Sequence, residues 1–282
     1  MFADLHMHTS FSDGTFSPEE LARRGSEHGL SAMALTDHDT VEGCERMSLA
    51  CSALGIEFIA ATELTAEHRD CELHLLGYFL NTHHQPLLQS LQHFQAVRQN
   101  RIREMVARLN ELKVPLNPEV VFKLANCQAP GRPHVARALV QEGLCQTVDE
   151  AFERYLKKHR AAWVPKAKMS ALQAITLVHE AGGLAVLAHP GLNRTDEMIP
   201  ELVEAGLDGI ECYHTKHPPS TTEHYLRVAK RYGLLVTGGS DCHGMSKGKP
   251  LIGTVKIPLQ LVRELESYHR SRHNPPAAAI ST

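Results

Sequence analysis

The sequence predicts an α/β fold with a largely parallel sheet, interrupted by a helical subdomain. Three observations lead there. Short apolar runs of strand length alternate with segments of helical period. Each run carries, at or near its end, a residue able to bind a metal or move a proton. Between about residues 86 and 165 the alternation gives way to helices rich in Gln and Arg. Such alternation builds βα units, and in β/α barrels the chemistry gathers at the carboxyl ends of the strands.

The runs are "MFADLHMH", "SAMALTDH", "IEFIAATE", "CELHLLGY", "GGLAVLAHP", "LDGIECYH" and "GLLVTGGSDCH". Helix punctuation separates most of them. "SPEELARRGSEHG" offers Ser17 as N-cap, Pro18 at the first helical position, Glu20 to complete a capping box and Gly29 as a stop. Further helices are predicted from Thr40 to Gly55 and from Ser170 to the Gly182-Gly183 pair. The long helix "PLLQSLQHFQAVRQNRIREMVARLNEL" opens the inserted stretch, with shorter pieces near 118–126, 133–142 and 148–159. The predicted division is a discontinuous body, residues 1–85 and 166–282, and a helical insertion, 86–165, covering the site. The terminal "SRHNPPAAAIST" reads as a frayed tail.

A chain of 282 residues, 43% hydrophobic and 22% charged, can bury a large core. Its formal charge of −3 gives no bulk cationic field of the kind that holds long duplex nucleic acid. Any nucleic-acid substrate should therefore be short or gripped locally. Seven cysteines form no C-x-x-C, and their odd number argues against a closed disulfide framework, so a reducing, cytoplasmic setting is expected. No basic leader and no run of roughly 18 apolar residues is present. The expectation is a soluble protein with no membrane association and no implied protein partner.

Histidine is the outlier, with 19 residues against one Trp. A strand sends Asp4, His6 and His8 to one face. Two imidazoles about 6 to 7 Å apart along it can converge on one cation. Asp13 would add a hard oxygen donor, while Asp4 is expected to orient a histidine. His38, in "TDHD", precedes a helix. Glu63 follows "IEFIAA" and would be costly to leave unpaired near a core, a cost that bridging two cations would remove. His74 lies among leucines, where a satisfied core histidine is the ordinary reading, and His134 opens an inserted helix. His189 in "LAHPG" points to an open loop mouth. Asp241 and His243, bracketed by glycines, again share one face.

The motifs "DLHMHTSFSDG", "LTDHD", "ATELT", "HLLGY", "RPHVA", "LAHPG" and "GSDCHG" follow one another as in the PHP family, named for polymerase and histidinol phosphatase. The resemblance spans nearly the whole chain, and the inserted region is similar to the nucleotide-directed branch of bisphosphate phosphatases and 5'-to-3' exonucleases. It implies a distorted (β/α)7 barrel with two or three divalent cations, Mn foremost, with Zn, Fe or Mg as options. The implied ligand sets are His6, His8, Glu63 and Asp241; Asp13, His38 and His243; and Glu63, His74 and His134, with His189 beside substrate or metal. Family members often carry histidine where this chain has Asp13, a harder ligand that favours Mn.

Closely spaced cations suit hydrolysis of a phosphate ester, with Asp13 or His189 assisting proton transfer. Neither a G-x-S-x-G element nor a P-loop is present. Candidate anchors for a second phosphate are Arg98 and Arg101 at i, i+3, then Arg132, Arg194 and Lys216. A nucleoside 3',5'-bisphosphate or a short 5'-phosphorylated oligonucleotide would use both sets. Histidinol phosphate would leave the arginine-rich helix without a purpose, and a non-catalytic metal-binding module would be expected to lose ligands.

Overall fold

The computed structural model describes residues 1–69, 71–165, 169–193 and 196–273. Its strands are β1 (Phe2–Asp4), β2 (Leu30–Leu35), β3 (Glu57–His68), β4 (Cys71–Tyr78), β5 (Met169–Ser170), β6 (Leu184–Leu187), β7 (Gly209–His214), β8 (Leu235–Gly239) and β9 (Ile257–Pro258). The helices are α1 (Pro18–Glu27), α2 (Cys44–Ala53), α3 (Gln85–Glu111), α4 (Pro118–Ala125), α5 (Arg132–Gln141), α6 (Val148–Ala151), α7 (Ala171–Glu180), α8 (Pro190–Asn193), α9 (Ile199–Glu204), α10 (Pro219–Tyr232) and α11 (Leu259–His273). Helix α6 continues as a π-helical turn over Phe152–Leu156.

The sheet runs β8-β7-β6-β4-β3-β2-β1-β9, with β5 beside β3. Its two sides meet beyond β1, where Leu5 N donates to Gly238 O (3.2 Å), Asp241 N to His6 O (2.8 Å) and His8 N to Cys242 O (2.9 Å). The result is a nearly closed barrel. Closure requires Gly239, because a Cβ there would stand 2.4 Å from the backbone N of His6.

One strand runs against expectation. β4 is antiparallel to both β3 and β6. A parallel partner would need a crossover of a dozen residues or more, and the short turn after His68 allows only a hairpin. His74 therefore enters the site from within β4, opposite Thr65, rather than from a carboxyl end.

Helix ends follow local chemistry. Ser17 accepts from Glu20 N (3.2 Å), but the Glu20 carboxylate turns to Arg23 and Arg24, so that capping box is half made. The box at Ser170 and Gln173 is complete. Helix α2 starts at Cys44 rather than Thr40 because Asp39 N donates to Glu63 O (3.0 Å) and Gln95 Nε2 reaches Asp39 O (3.3 Å), which holds the preceding loop against β3 and α3. Helix α11 extends to His273, so the first residues of the expected tail are helical, with Arg272 against Asp208. Residues 274–282 lie outside the described residues.

Two apolar cores meet on α3. Leu87 and Leu91, near its start, pack with Leu73, Leu75, Ile175 and Leu187 of the barrel. Ile102, Met105 and Leu109, near its end, pack with Val121, Val135, Leu139 and Leu156 of the inserted helices. Gln95, Arg98 and Arg101 are buried at the crossing.

Candidate metal centre

The closed edge of the sheet places His6 and His8 beside Asp241, and β3 delivers Glu63 between them. His6 Nε2 and His8 Nε2 lie 3.4 and 3.3 Å from Glu63 Oε2, and 3.7 and 3.3 Å from Asp241 Oδ1. Ligand atoms at ordinary bond lengths from a divalent ion stand about 3.3–3.6 Å apart at tetrahedral corners. The observed spacing falls near that range. A second group joins His8, Asp13, His38 and His243, with Asp13 Oδ1 3.2 Å from His243 Nε2. A third gathers on the other oxygen of Glu63, where His74 Nδ1 stands at 2.6 Å and His189 Nε2 at 3.1 Å, with His38 Nδ1 3.1 Å from Oε2.

These residues fit divalent cations. Both ring nitrogens of fully buried His8, Asp13 Oδ1, His38 Nδ1 and His214 Nε2 make no hydrogen bond among the described residues. Buried polar atoms left so cost about 1–3 kcal/mol each, a cost that coordination removes. Charge agrees with this. Burial opposes ionisation of Glu63, but His38, His74 and His6 hold its carboxyl well below the usual range. The same contest at Asp13 is won by His243 and His38, and at Asp241 by His243, His214 and His8.

A supporting layer fixes these donors. Glu211, fully buried, accepts from His6 Nδ1 (3.0 Å) and from the backbone N of His189 (2.7 Å), and so sets the tautomer of one ring and the position of another. Asp37 holds Thr9 N (2.7 Å) and Ser12 Oγ (2.5 Å), which shapes the loop carrying Asp13. Asp39 (φ +50°), His189 (φ +28°) and Asp241 (φ +51°) all adopt left-handed backbone, a strained conformation for non-glycine residues that clusters at functional sites.

Several expected roles are redistributed. Among the described residues, Asp4 reaches no ring by hydrogen bond. Its carboxylate accepts from the backbone N of His6 (3.3 Å) and of Ser240 (2.9 Å), so it stitches β1 to β8, and Glu211 orients the histidine instead. His134 belongs to none of the groups above, because its Nδ1 accepts from Gly131 N (3.0 Å) at the start of α5. Burial, and then Arg137, push its pKa down to about 4. Arg98 is held by Asp39, with Nε at 2.7 Å and Nη2 at 2.5 Å from Oδ2. Its partner is thus a carboxylate of the barrel. Arg101 gives Nε to Val164 O (2.9 Å) and Arg132 gives Nη1 to Leu156 O (3.4 Å), and neither has an ion pair among the described residues. Lys216 is exposed, with its backbone N on His214 Nδ1 (3.1 Å). Arg194 lies outside the described residues. Arg137, three residues beyond His134, was not foreseen; its buried Nε makes no hydrogen bond among the described residues.

The sequence profile of the PHP domain matches residues 4–161 of the chain. The chain belongs to the PHP family. Among PHP relatives, the 5'-3' exoribonuclease of Haemophilus influenzae is 32% identical over 85% of this chain and 89% of its own length. The 3',5'-nucleoside bisphosphate phosphatase of Chromobacterium violaceum is 29% identical over 94% and 96%. A Bifidobacterium adolescentis protein classed as a metal-dependent phosphoesterase superposes with a TM-score of 0.87 at 33% identity, covering 94% of this chain and 95% of that one. This PHP chain is a metal-dependent phosphoesterase. Among its described residues, no helix is long and apolar enough to cross a membrane.

Proposed function

We propose that the enzyme removes the 3'-phosphate from nucleoside 3',5'-bisphosphates, such as adenosine 3',5'-bisphosphate, to give the 5'-monophosphate and inorganic phosphate. The observation that carries this reading is the buried guanidinium of Arg101, which has Arg132 and Arg98 beside it and no ion pair among the described residues. Burial, then Arg132 and Arg98 nearby, push the pKa of Arg101 down to about 9, and burial lowers that of Arg132 too. Like charges crowded in a dry wall call for an anion, and a phosphate that is not cleaved supplies one.

Divalent ions held by His6, His8, Glu63, Asp241, Asp13, His38, His243 and His74 would neutralise phosphoryl oxygens and make water a competent nucleophile. Mn suits the mixed imidazole and carboxylate set, and the overlapping groups of donors allow two or three ions. Asp13, kept ionised by its histidine neighbours, takes a proton from the attacking water. His189, on the opposite flank of Glu63, gives one to the departing 3'-oxygen. Arg101 and Arg132 orient the 5'-phosphate so that the ester bond lies in line.

The same groups would act on short 5'-phosphorylated oligonucleotides from the 5' end, a second reading favoured by the similarity to the Haemophilus influenzae exoribonuclease. The test is phosphate release by Mn-loaded enzyme from adenosine 3',5'-bisphosphate, histidinol phosphate and 5'-AMP at equal concentration. Fast release from the bisphosphate with AMP accumulating is the expected result. Equal or faster release from histidinol phosphate, or none from the bisphosphate, defeats the reading.

A further inference from the structure

We infer that the cavity between the metal centre and the π-helical turn is a nucleobase subsite; this rests on the nucleotide reading above. The cavity holds about 650 Å³ and reaches Asp13 and His243 at its inner end. Phe152 and Asp149 form its wall on the inserted side, and Met245 and Ser246 form it on the barrel side. Two other cavities, between α3 and α7 and between α2 and α3, touch none of the metal-binding residues.

The chemistry of the walls suits a flat heteroaromatic ring. Phe152 lines it with aromatic surface, and Met245, 52% exposed, offers a flexible thioether that packs well against aromatic groups. The Asp149 carboxylate is an acceptor only, matched to the N–H edge of a base. Both sides are fixed. Met245 N donates to Thr15 Oγ1 (2.7 Å), which ties that loop to the one carrying Asp13. Phe152 begins the π-helical turn, a local irregularity that is frequent at functional sites. The arginine wall and this cavity thus serve different parts of one ligand, the second phosphate and the base.

The test is equilibrium binding of AMP and of ribose 5-phosphate to the Mn-loaded enzyme by calorimetry, which does not depend on turnover. AMP should bind about tenfold tighter or more, the range for stacking of one base. Phe152→Ala should bring that ratio close to one while leaving ribose 5-phosphate affinity in place. Because Phe152 also packs against the inserted helices, Met245→Ala serves as a second variant on an exposed loop and should lower the ratio severalfold. Equal affinity for the two ligands in the wild type, or a ratio unchanged in both variants, overturns the subsite. Base-dependent binding by an enzyme that fails to cleave bisphosphates would uphold it while removing the proposed reaction.

Discussion

The two walls of the cleft treat buried charge in opposite ways. The barrel wall gathers imidazoles and carboxylates whose donor atoms converge at the spacing of ligands around one ion, so it is built for cations. The inserted wall gathers Arg101, Arg132 and Arg137, partly or fully desolvated and without ion pairs among the described residues, which is why the second phosphate is proposed to lie there. Arg98 sits between them and belongs to the first. The difference teaches that residue type and neighbourhood do not assign a role, since Arg98 and Arg101 are one helical turn apart on α3 and, among the described residues, only Arg98 has a carboxylate partner.

Breaking that distinction should be most visible at Arg98. Arg98→Ala leaves Asp39 buried and unpaired, and should lower folding stability by about 3–5 kcal/mol in chemical denaturation. A loss below 1 kcal/mol would return Arg98 to the anion wall. Glu63→Gln removes the carboxylate shared by the histidines and should lower kcat by about a hundred- to a thousandfold, with metal content falling in elemental analysis. Next comes Glu211→Gln, which should weaken metal affinity about 10- to 100-fold by freeing the His6 ring. Arg101→Ala should raise KM for a nucleoside bisphosphate about tenfold while leaving hydrolysis of p-nitrophenyl phosphate unchanged, and an equal effect on both would dissolve the contrast between the walls.

The smallest effect concerns pH. His134 is buried neutral with its pKa near 4, whereas the unfolded chain takes up that proton near 6.5. Its contribution to stability is therefore whole above about 6.5 and is lost as pH falls toward 4. In metal-stripped protein, His134→Asn should flatten the acid limb of the stability curve by at most about 1.4 kcal/mol per pH unit.

Much of the barrel wall was legible because strand periodicity and donor chemistry are local. His6, His8, Asp241 and His243 follow i, i+2 spacing and meet as that spacing implies. Glu211 and His214 stand three residues apart, so on a regular strand they would face opposite sides. A register shift between Glu211 and Tyr213 puts both on the site. Nothing in "IECYH" announces a bulge, because it is set by pairing with β8. His74 was legible as a motif residue but not as part of an antiparallel strand, which the short turn after His68 dictates. The inserted wall was legible only as a helix rich in arginine. Which arginine finds a carboxylate depends on how α3 meets the loop carrying Asp39, and that is tertiary information.

Helix α3 also carries a consequence for how such a chain can diversify. Leu91, on the barrel core, and Ile102, on the inserted core, are eleven residues apart, about three full turns, so both anchors share one face. Adding one residue between them would advance the distal half by about 100° and 1.5 Å. The two cores would fall out of phase like mistimed gears, and Arg101 would rotate away from the cleft. Divergence in substrate choice can therefore draw on side chains and on the loops between the inserted helices, while the residue count of that one segment stays frozen.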